Sequence, residues 1–547
     1  MAEDRKGWDL EADVVVLGTG GAALTAALAA HDHGAERVVV LERSGMVGGT
    51  TAMSGGMLWI PMNHHELEFG IDDSWDEVVT YLDALSPGLL DPDTLEAYLV
   101  AGPEMIRYFA DKTPVRLHVF QNFPDYQPTV AGAKPHGTRS LDNDVFAFDQ
   151  LGSWAVRVNP PKTGLPTLFS MVEAMYGGVD DETLAERRRR DCRGRGQALI
   201  GSLLRGLLDR DIPIHLETRA RKLCIENGRV VGVVAEQQQG EIRVRALKGV
   251  VVATGGFEWN ERLAKAFVRG PFTGPVSVPE CDGDGLLMTM EAGARLANMS
   301  NAWWMMSTLE SIERSRNAKA NYLLCQTERT LPGSILVNRS ARRFVNEAAN
   351  YNALGPVLHN FDPNTHEYPN LPYWLIFDSR FKGRYQVFTS APKDPAPSWA
   401  VSADSMKALA ERIGLDGEVL TKTVERFNTH VKNGHDEDFQ RGDNTFDNFW
   451  GDQKLEAPFS TLGVIDQPPY YAIRMEAGVL GTAGGPKTNA NGQVVDWNDR
   501  PIDGLYAAGN TMAQVTAMGY GGAGGTLGPG MTFGFVAGRH AAQQNRG

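Results

Sequence analysis

The sequence predicts an α/β protein: a discontinuous Rossmann-like nucleotide-binding domain into which an α+β lobe is inserted. Three observations carry that expectation. The β-branched run at 13–17 (DVVVL) leads straight into a glycine-rich turn and an alanine- and leucine-rich helix through Ala30. An apolar strand at 249–257 (GVVVATGGF) ends in a glycine pair, and another at 505–510 (LYAAGN) lies near the C-terminus. Strands expected in one sheet thus sit at both ends of the chain. The domain is expected to comprise 1–305 and 481–547, with a catalytic lobe at 306–480.

In order, 13–17 reads as a buried parallel strand. It is followed by Gly18, Thr19, Gly20, Gly21, Ala22 and Ala23, a helix, a second strand at 37–41 and then Glu42. This is G-x-G-x-x-A between strand and helix, with an acid 24 positions after the first glycine. Gly18 permits the tight turn, and Gly20 lets a pyrophosphate approach the backbone. Ala23 lets helix and strand pack, the helix N-terminus offers N–H donors, and Glu42 accepts from an adenosine ribose hydroxyl. A second glycine-rich stretch follows directly: Gly48, Gly49, Thr50, Thr51, Ala52, Met53, Ser54, Gly55 and Gly56. An NAD site needs no second backbone approach there, whereas an isoalloxazine ring lies against main-chain donors. FAD is therefore the expected cofactor, and with no histidine at 50–54 it is expected to be non-covalent. The expected contacts also take in Arg43, Ala220, Arg221, Thr254, Gly255, Gly256, Gly509, Asn510, Gly525, Thr526 and Leu527.

Composition narrows the function. The chain has 547 residues, 53 lysines plus arginines against 67 acids, and a formal charge of −14. That balance argues against nucleic acid as a partner. Apolar residues at 42% and charged residues at 22% describe an ordinary globular protein. Four dispersed cysteines form no C-x-x-C pair, which removes support for zinc ribbons, iron–sulfur clusters and attached haem. The hydrophilic N-terminus and reduced cysteines suggest the cytoplasm. The uncharged stretch around 504–538 contains too many glycines for a lipid-exposed helix, and close backbone approach to a ligand is the expected reason for them. His31, His33, His64 and His65 read as surface residues. The run Arg187 to Arg190 reads as a solvated face, with peripheral contact to an anionic inner-membrane surface as the alternative.

The chain resembles the 3-ketosteroid Δ1-dehydrogenases, within the flavoprotein superfamily that also holds fumarate reductases. The likeness is carried by GGTTAMSGGMLWIP at 48–61, RRFVNEAANY at 342–351, TVERFNTHVKNGHDEDFQRGD at 423–443, LGTAGGPKT at 480–488 and LYAAGNTMAQVTAMGYGGAGGTLGPGMTFG at 505–534. The resemblance implies that Tyr520 and the N–H of Gly524 hold a substrate ketone. It implies further that Tyr351 is the base and that Tyr126, in FPDYQP, supports it. The final segment departs from the family's usual Y-A-G-P-G, reading Y-G-G-A-G. A fumarate reductase site needs cations, yet Tyr351 stands where that branch has its proton-donating arginine and Gly481 where it has a histidine. No arginine lies between Arg500 and Arg539.

The implied reaction is FAD-dependent 1,2-dehydrogenation of a 3-ketosteroid. A donor pair polarises the carbonyl, a base takes the α-proton, and flavin N5 accepts hydride from the β-carbon. Ionising a phenol of pKa about 10 at pH 7 costs roughly 4 kcal/mol, and hydrogen bonding from Tyr126 is expected to lower that cost. The implied partners are a steroid-like apolar ketone and an electron acceptor that the sequence does not identify. The alternatives are a flavin-dependent ene-reductase of the fumarate reductase type, a dehydrogenase of another cyclic ketone, a non-catalytic flavin carrier and an NAD-dependent Rossmann enzyme.

Overall fold

The computed structural model describes residues 7–161, 167–313 and 319–546. The opening strand Leu10–Leu17 lies between Val38–Leu41 and Gly240–Val252 and runs parallel to both. Pro501–Ala507 continues the sheet in parallel beyond Gly240–Val252. Strands from residue 10 and residue 507 therefore share one eight-stranded sheet. Val14, Val15 and Val16 are completely buried, as expected for strands covered on both faces. An antiparallel meander of Arg219–Glu226, Arg229–Gln237 and Gly240–Val252 completes this sheet on one side.

The second sheet has six strands, all antiparallel. Its central pair is Ala302–Ser311 against Tyr470–Thr482, with Trp304 opposite Val479. The intervening chain thus leaves the first sheet and returns to it on neighbouring strands. Within the lobe Val401–Ala403 is a strand on the 470–482 edge, followed by the helix Met406–Ile413. Ser405 sets that start, because its hydroxyl accepts from the N–H of Ala408.

The glycines of the tail also let protein segments approach one another closely. Most pack against protein backbone and rings. A Cβ at Gly534 would lie 2.3 Å from the Ala22 carbonyl oxygen, and one at Gly538 would lie 2.2 Å from that of Ala26. The C-terminal helix Leu527–Gln543 thereby crosses the helix Gly21–Asp32 backbone to backbone. Gly521, Gly522 and Gly528 enclose Trp59 in the same way. The histidines at 31, 33, 64 and 65 are half-buried at the surface. His33 meets the Ala29 carbonyl, and among the described residues none of the four joins a metal-like cluster. Arg187 is tied to Glu173 and the Leu168 carbonyl, while Arg188, Arg189 and Arg190 are exposed. No helix among the described residues is long and apolar enough to cross a membrane.

Candidate active site

Two neighbouring sets of groups gather where the sheets meet. The first is polar and made mostly of main chain at the C-terminal ends of the parallel strands. Gly18, at φ +104°, leaves the opening strand so tightly that a Cβ would sit 2.4 Å from the Ala253 oxygen. The helix that begins at Gly21 has no side-chain cap, so its first N–H groups face the crevice, apart from that of Gly21, which Thr51 Oγ1 accepts. Ala22 and Ala23 lie in its first turn, Ala23 buried and Ala22 with its carbonyl against Gly534 of the C-terminal helix.

Glu42 ends the second strand, where it accepts from Thr19 Oγ1 at 2.5 Å and from the Ser44 N–H at 2.8 Å. Burial pushes its carboxyl upward, opposed by those two bonds. Thr19 also accepts the N–H of Gly48, so the 48–56 stretch is fastened beside the acid. Within that stretch Gly48, Gly49 and Gly56 have positive φ. Thr50 accepts from Val278 N–H, and Ser54 bridges the Thr51 carbonyl and the Gly56 N–H. Gly55 is bounded by Met171. Opposite lie Thr254, Gly255 at φ +82° and Gly256, joined to the tail by the bond from Thr511 Oγ1 to the Gly255 carbonyl. Gly509 has φ +64°, and Asn510 follows with a buried, unpartnered Oδ1. The C-terminal helix starts at Thr526 and Leu527, again without a side-chain cap.

Uncapped helix starts, a glycine turn that excludes any Cβ, a buried acid and an orphaned amide oxygen form a set that fits FAD. Two expected contacts have side chains engaged elsewhere. Arg43 closes an ion-pair cluster with Asp282, Asp284 and Arg219. Arg221 pairs with Glu236 on the exposed side of the meander, while its neighbour Ala220 is buried. Sequence reasoning missed Glu258, which directly follows Gly256 and Phe257. Burial pushes its carboxyl up to about 7, and one of its oxygens has no partner. Its place two residues beyond the glycine pair was the available signal.

The second set is apolar and holds three phenols. Tyr126, Tyr351 and Tyr520 belong to a buried cluster with Met57, Phe120, Phe123, Trp303, Met305 and Phe446. The hydroxyls of Tyr126 and Tyr351 lie 2.8 Å apart. The Tyr126 ring stacks on that of Tyr520 at 5.3 Å and 7°, and Tyr351 stands edge-on to both. Each phenol is delivered by a different device. Tyr351 opens the helix Tyr351–Leu358, which Asn350 caps by accepting from Ala353 N–H. The Asn350 amide also donates to the Tyr126 carbonyl, locking the two segments together. Tyr126 donates its own N–H to the Gly521 carbonyl, which brings in the tail.

Tyr520 accepts from Thr526 Oγ1 at 3.0 Å, leaving its own hydroxyl proton to donate. Its ring requires glycine at 525, where a Cβ would come within 2.9 Å of it. Gly524 has φ +93°, and among the described residues no group accepts its N–H. Burial pushes Tyr126 and Tyr351 well above the ordinary phenol value, and Tyr520 is raised for the same reason, opposed by Thr526. Either hydroxyl of the Tyr126–Tyr351 pair can donate, and the benefit expected of Tyr126 requires Tyr126 to be the donor. While the pair is neutral and Tyr351 donates, the Tyr126 and Tyr520 bonds hold its proton and raise Tyr351 further.

Comparison with known proteins agrees with this geometry. The chain is 36% identical over 569 residues to the 3-oxosteroid 1-dehydrogenase of Mycobacterium tuberculosis, covering 98% of this chain and 99% of that protein. It is 37% identical over 546 residues to the 4-oxocyclohexanecarboxylate 2-dehydrogenase of Sinomonas cyclohexanicum, covering 98% and 93%. Among solved structures, the 3-ketosteroid delta1-dehydrogenase of Sterolibacterium denitrificans, in complex with 1,4-androstadiene-3,17-dione, aligns with a TM-score of 0.90. That alignment has 34% identity and covers 97% of this chain and 99% of the other. A flavocytochrome c3 fumarate reductase at 21% identity and TM-score 0.64 shares the fold alone. The "FAD binding domain" family matches residues 13–527, from the first buried strand to the start of the last helix. With the glycine turn, the buried acid and both helix starts inside that span, the chain belongs to this family of FAD-dependent oxidoreductases.

Proposed function

We propose that the chain dehydrogenates a ring ketone between its α- and β-carbons, introducing the 1,2 double bond of a 3-ketosteroid. The observation that carries this reading is the convergence of three phenols in one buried apolar cluster, beside an N–H that no described group takes. Dicarboxylates need cations, and this cluster has none among its members. An apolar wall with a few convergent polar groups suits a neutral ketone.

In the proposed reaction the Tyr520 hydroxyl and the Gly524 N–H donate to the ketone oxygen. Such donors contribute about 3–4 kcal/mol each where charge develops. Tyr351, as phenolate, takes the α-proton, and the electron pair of that C–H bond becomes the new C=C bond. FAD, when bound, supplies the acceptor for the hydride that leaves the β-carbon. Tyr126 holds the Tyr351 oxygen at 2.8 Å and donates to it once it is ionised. The surrounding aromatic groups exclude water. A second substrate class, smaller cyclic ketones, is favoured by the likeness to the Sinomonas enzyme. We place the protein in the cytoplasm, in keeping with four cysteines that are all free.

The test is product analysis with an artificial electron acceptor, offering a 4-ene-3-ketosteroid and 4-oxocyclohexanecarboxylate separately. A product with a new double bond next to the carbonyl is expected from at least one. If neither ketone is dehydrogenated while a reduced dye drives reduction of an enone, the ene-reductase reading replaces this one.

A further inference from the structure

Arg329 is completely buried, in the short helix Thr327–Thr330. Its guanidinium donates only to neutral oxygens. Nη1 meets the carbonyls of Glu347 and of Ala349, the latter at 2.7 Å. Nη2 meets Gln326 Oε1 at 2.8 Å, and Nε meets the Cys325 carbonyl at 3.1 Å. No carboxylate among the described residues forms an ion pair with it, whereas Arg343 and Arg441, nearby in sequence or space, both pair with Glu347. A buried cation without an anionic partner is costly and calls for a compensating role. Its location suggests one. Ala349 is two residues before Tyr351, and Asn350 between them holds the Tyr126 carbonyl.

We propose that Arg329 is a positioning residue for the tyrosine pair: it fixes the turn that delivers Tyr351 and supplies the positive charge that stabilises negative charge on the Tyr126–Tyr351 hydroxyl pair. This rests on the reading of Tyr351 as the base. The groups around the pair agree. Tyr126 faces Tyr351, Tyr520 and Arg329, and Arg329 opposes the upward push of burial on Tyr126. Tyr351 faces Tyr126 and Tyr520. Arg329 itself faces Cys325, Tyr373, Arg441 and Asp447. Burial drives Cys325 and Tyr373 toward their neutral forms, and the Asp447 carboxylate accepts from the Asn346 amide and the Gly442 N–H rather than from Arg329. The Tyr126–Tyr351 pair is where that charge is useful.

Gln326→Glu tests the charge without removing a contact. The new carboxylate keeps the bond to Nη2, and the displaced Nε2 has no partner to lose. The experiment follows, against pH, the exchange of ring-ketone α-hydrogens with solvent deuterium in the FAD-loaded protein. Gln326→Glu and Arg329→Gln are both expected to move the rising limb upward by about one unit. That corresponds to a rate about tenfold lower below the limb, with KM nearly unchanged. Arg329→Lys, which retains charge but loses most of the bonds, is expected to restore the limb to its wild-type position. An unmoved limb in Gln326→Glu, with FAD content and melting temperature intact, overturns the proposal. So does an Arg329→Lys limb displaced as far as that of Arg329→Gln. If Tyr351→Phe still exchanges the α-hydrogen, the assignment of the base itself has failed, whatever Arg329 does.

Discussion

The cofactor crevice and the tyrosine cluster meet in one molecule but are built by opposite means. The crevice is main chain at strand ends and depends on what is absent, namely a Cβ at Gly18 and a side-chain cap at the helix start. The cluster is side chains, three hydroxyls carried on segments more than a hundred residues apart and held by packing. The contrast separates two ways of failing. Damage to the crevice costs the cofactor and with it the fold around it, whereas damage to the cluster costs chemistry in an otherwise intact flavoprotein.

The largest expected effect is in the crevice. Gly18→Ala places a methyl 2.4 Å from the Ala253 oxygen at a positive φ, and it should yield colourless or insoluble protein. A yellow, fully loaded variant would break the comparison. Next comes Tyr351→Phe in the cluster, expected to lower turnover by about 10²–10⁴ with FAD content unchanged, as measured by absorbance and steady-state rate. The pH profile sharpens the same point. Tyr351 is raised by burial, so the phenolate becomes more abundant as pH rises, and turnover should climb with no plateau below the ordinary phenol value of 10.0. A flat profile between pH 6 and 9, with chemistry rate-limiting, would remove Tyr351 as an ionising base.

Smaller effects fall at the junction. Gly525→Ala pushes on the Tyr520 ring, so it should weaken ketone binding and turnover about tenfold. Smallest is the effect of Glu258, whose carboxyl is raised to about 7 from 4.5. The folded protein holds that proton more tightly than the unfolded chain, so its stabilising contribution is complete below pH 4.5 and is lost as pH rises to about 7. Glu258→Gln should flatten that part of a melting-temperature profile. An unchanged slope would show the carboxyl to be ionised throughout.

The same contrast explains what the sequence disclosed. The crevice was legible because a phosphate-binding turn imposes glycine at fixed spacing along contiguous chain, and Gly18, Gly20 and Glu42 stand at that spacing. The phenols were legible only through the likeness of RRFVNEAANY and the tail segment to relatives, since nothing in 14 tyrosines distinguishes these three. Asn350 was not legible at all. Its function is to grip a carbonyl 224 residues away, a relation that has no local signature. The helix crossing at Gly534 and Gly538 was not legible, because it uses the same residue type as a ligand approach. Arg43 and Arg221 were drawn into the cofactor set by position, but their side chains answer to Asp282, Asp284 and Glu236.

One measurement addresses the joint claim of crevice and cluster most directly: anaerobic mixing of the FAD-loaded chain with ring ketones, following loss of the oxidised flavin's absorbance. The account predicts that a 4-ene-3-ketosteroid or a substituted cyclohexanone bleaches the wild-type protein within turnover time, and that Tyr351→Phe and Tyr520→Phe stay yellow. Bleaching that persists undiminished in both variants, or a wild-type protein that no ring ketone bleaches, would contradict it.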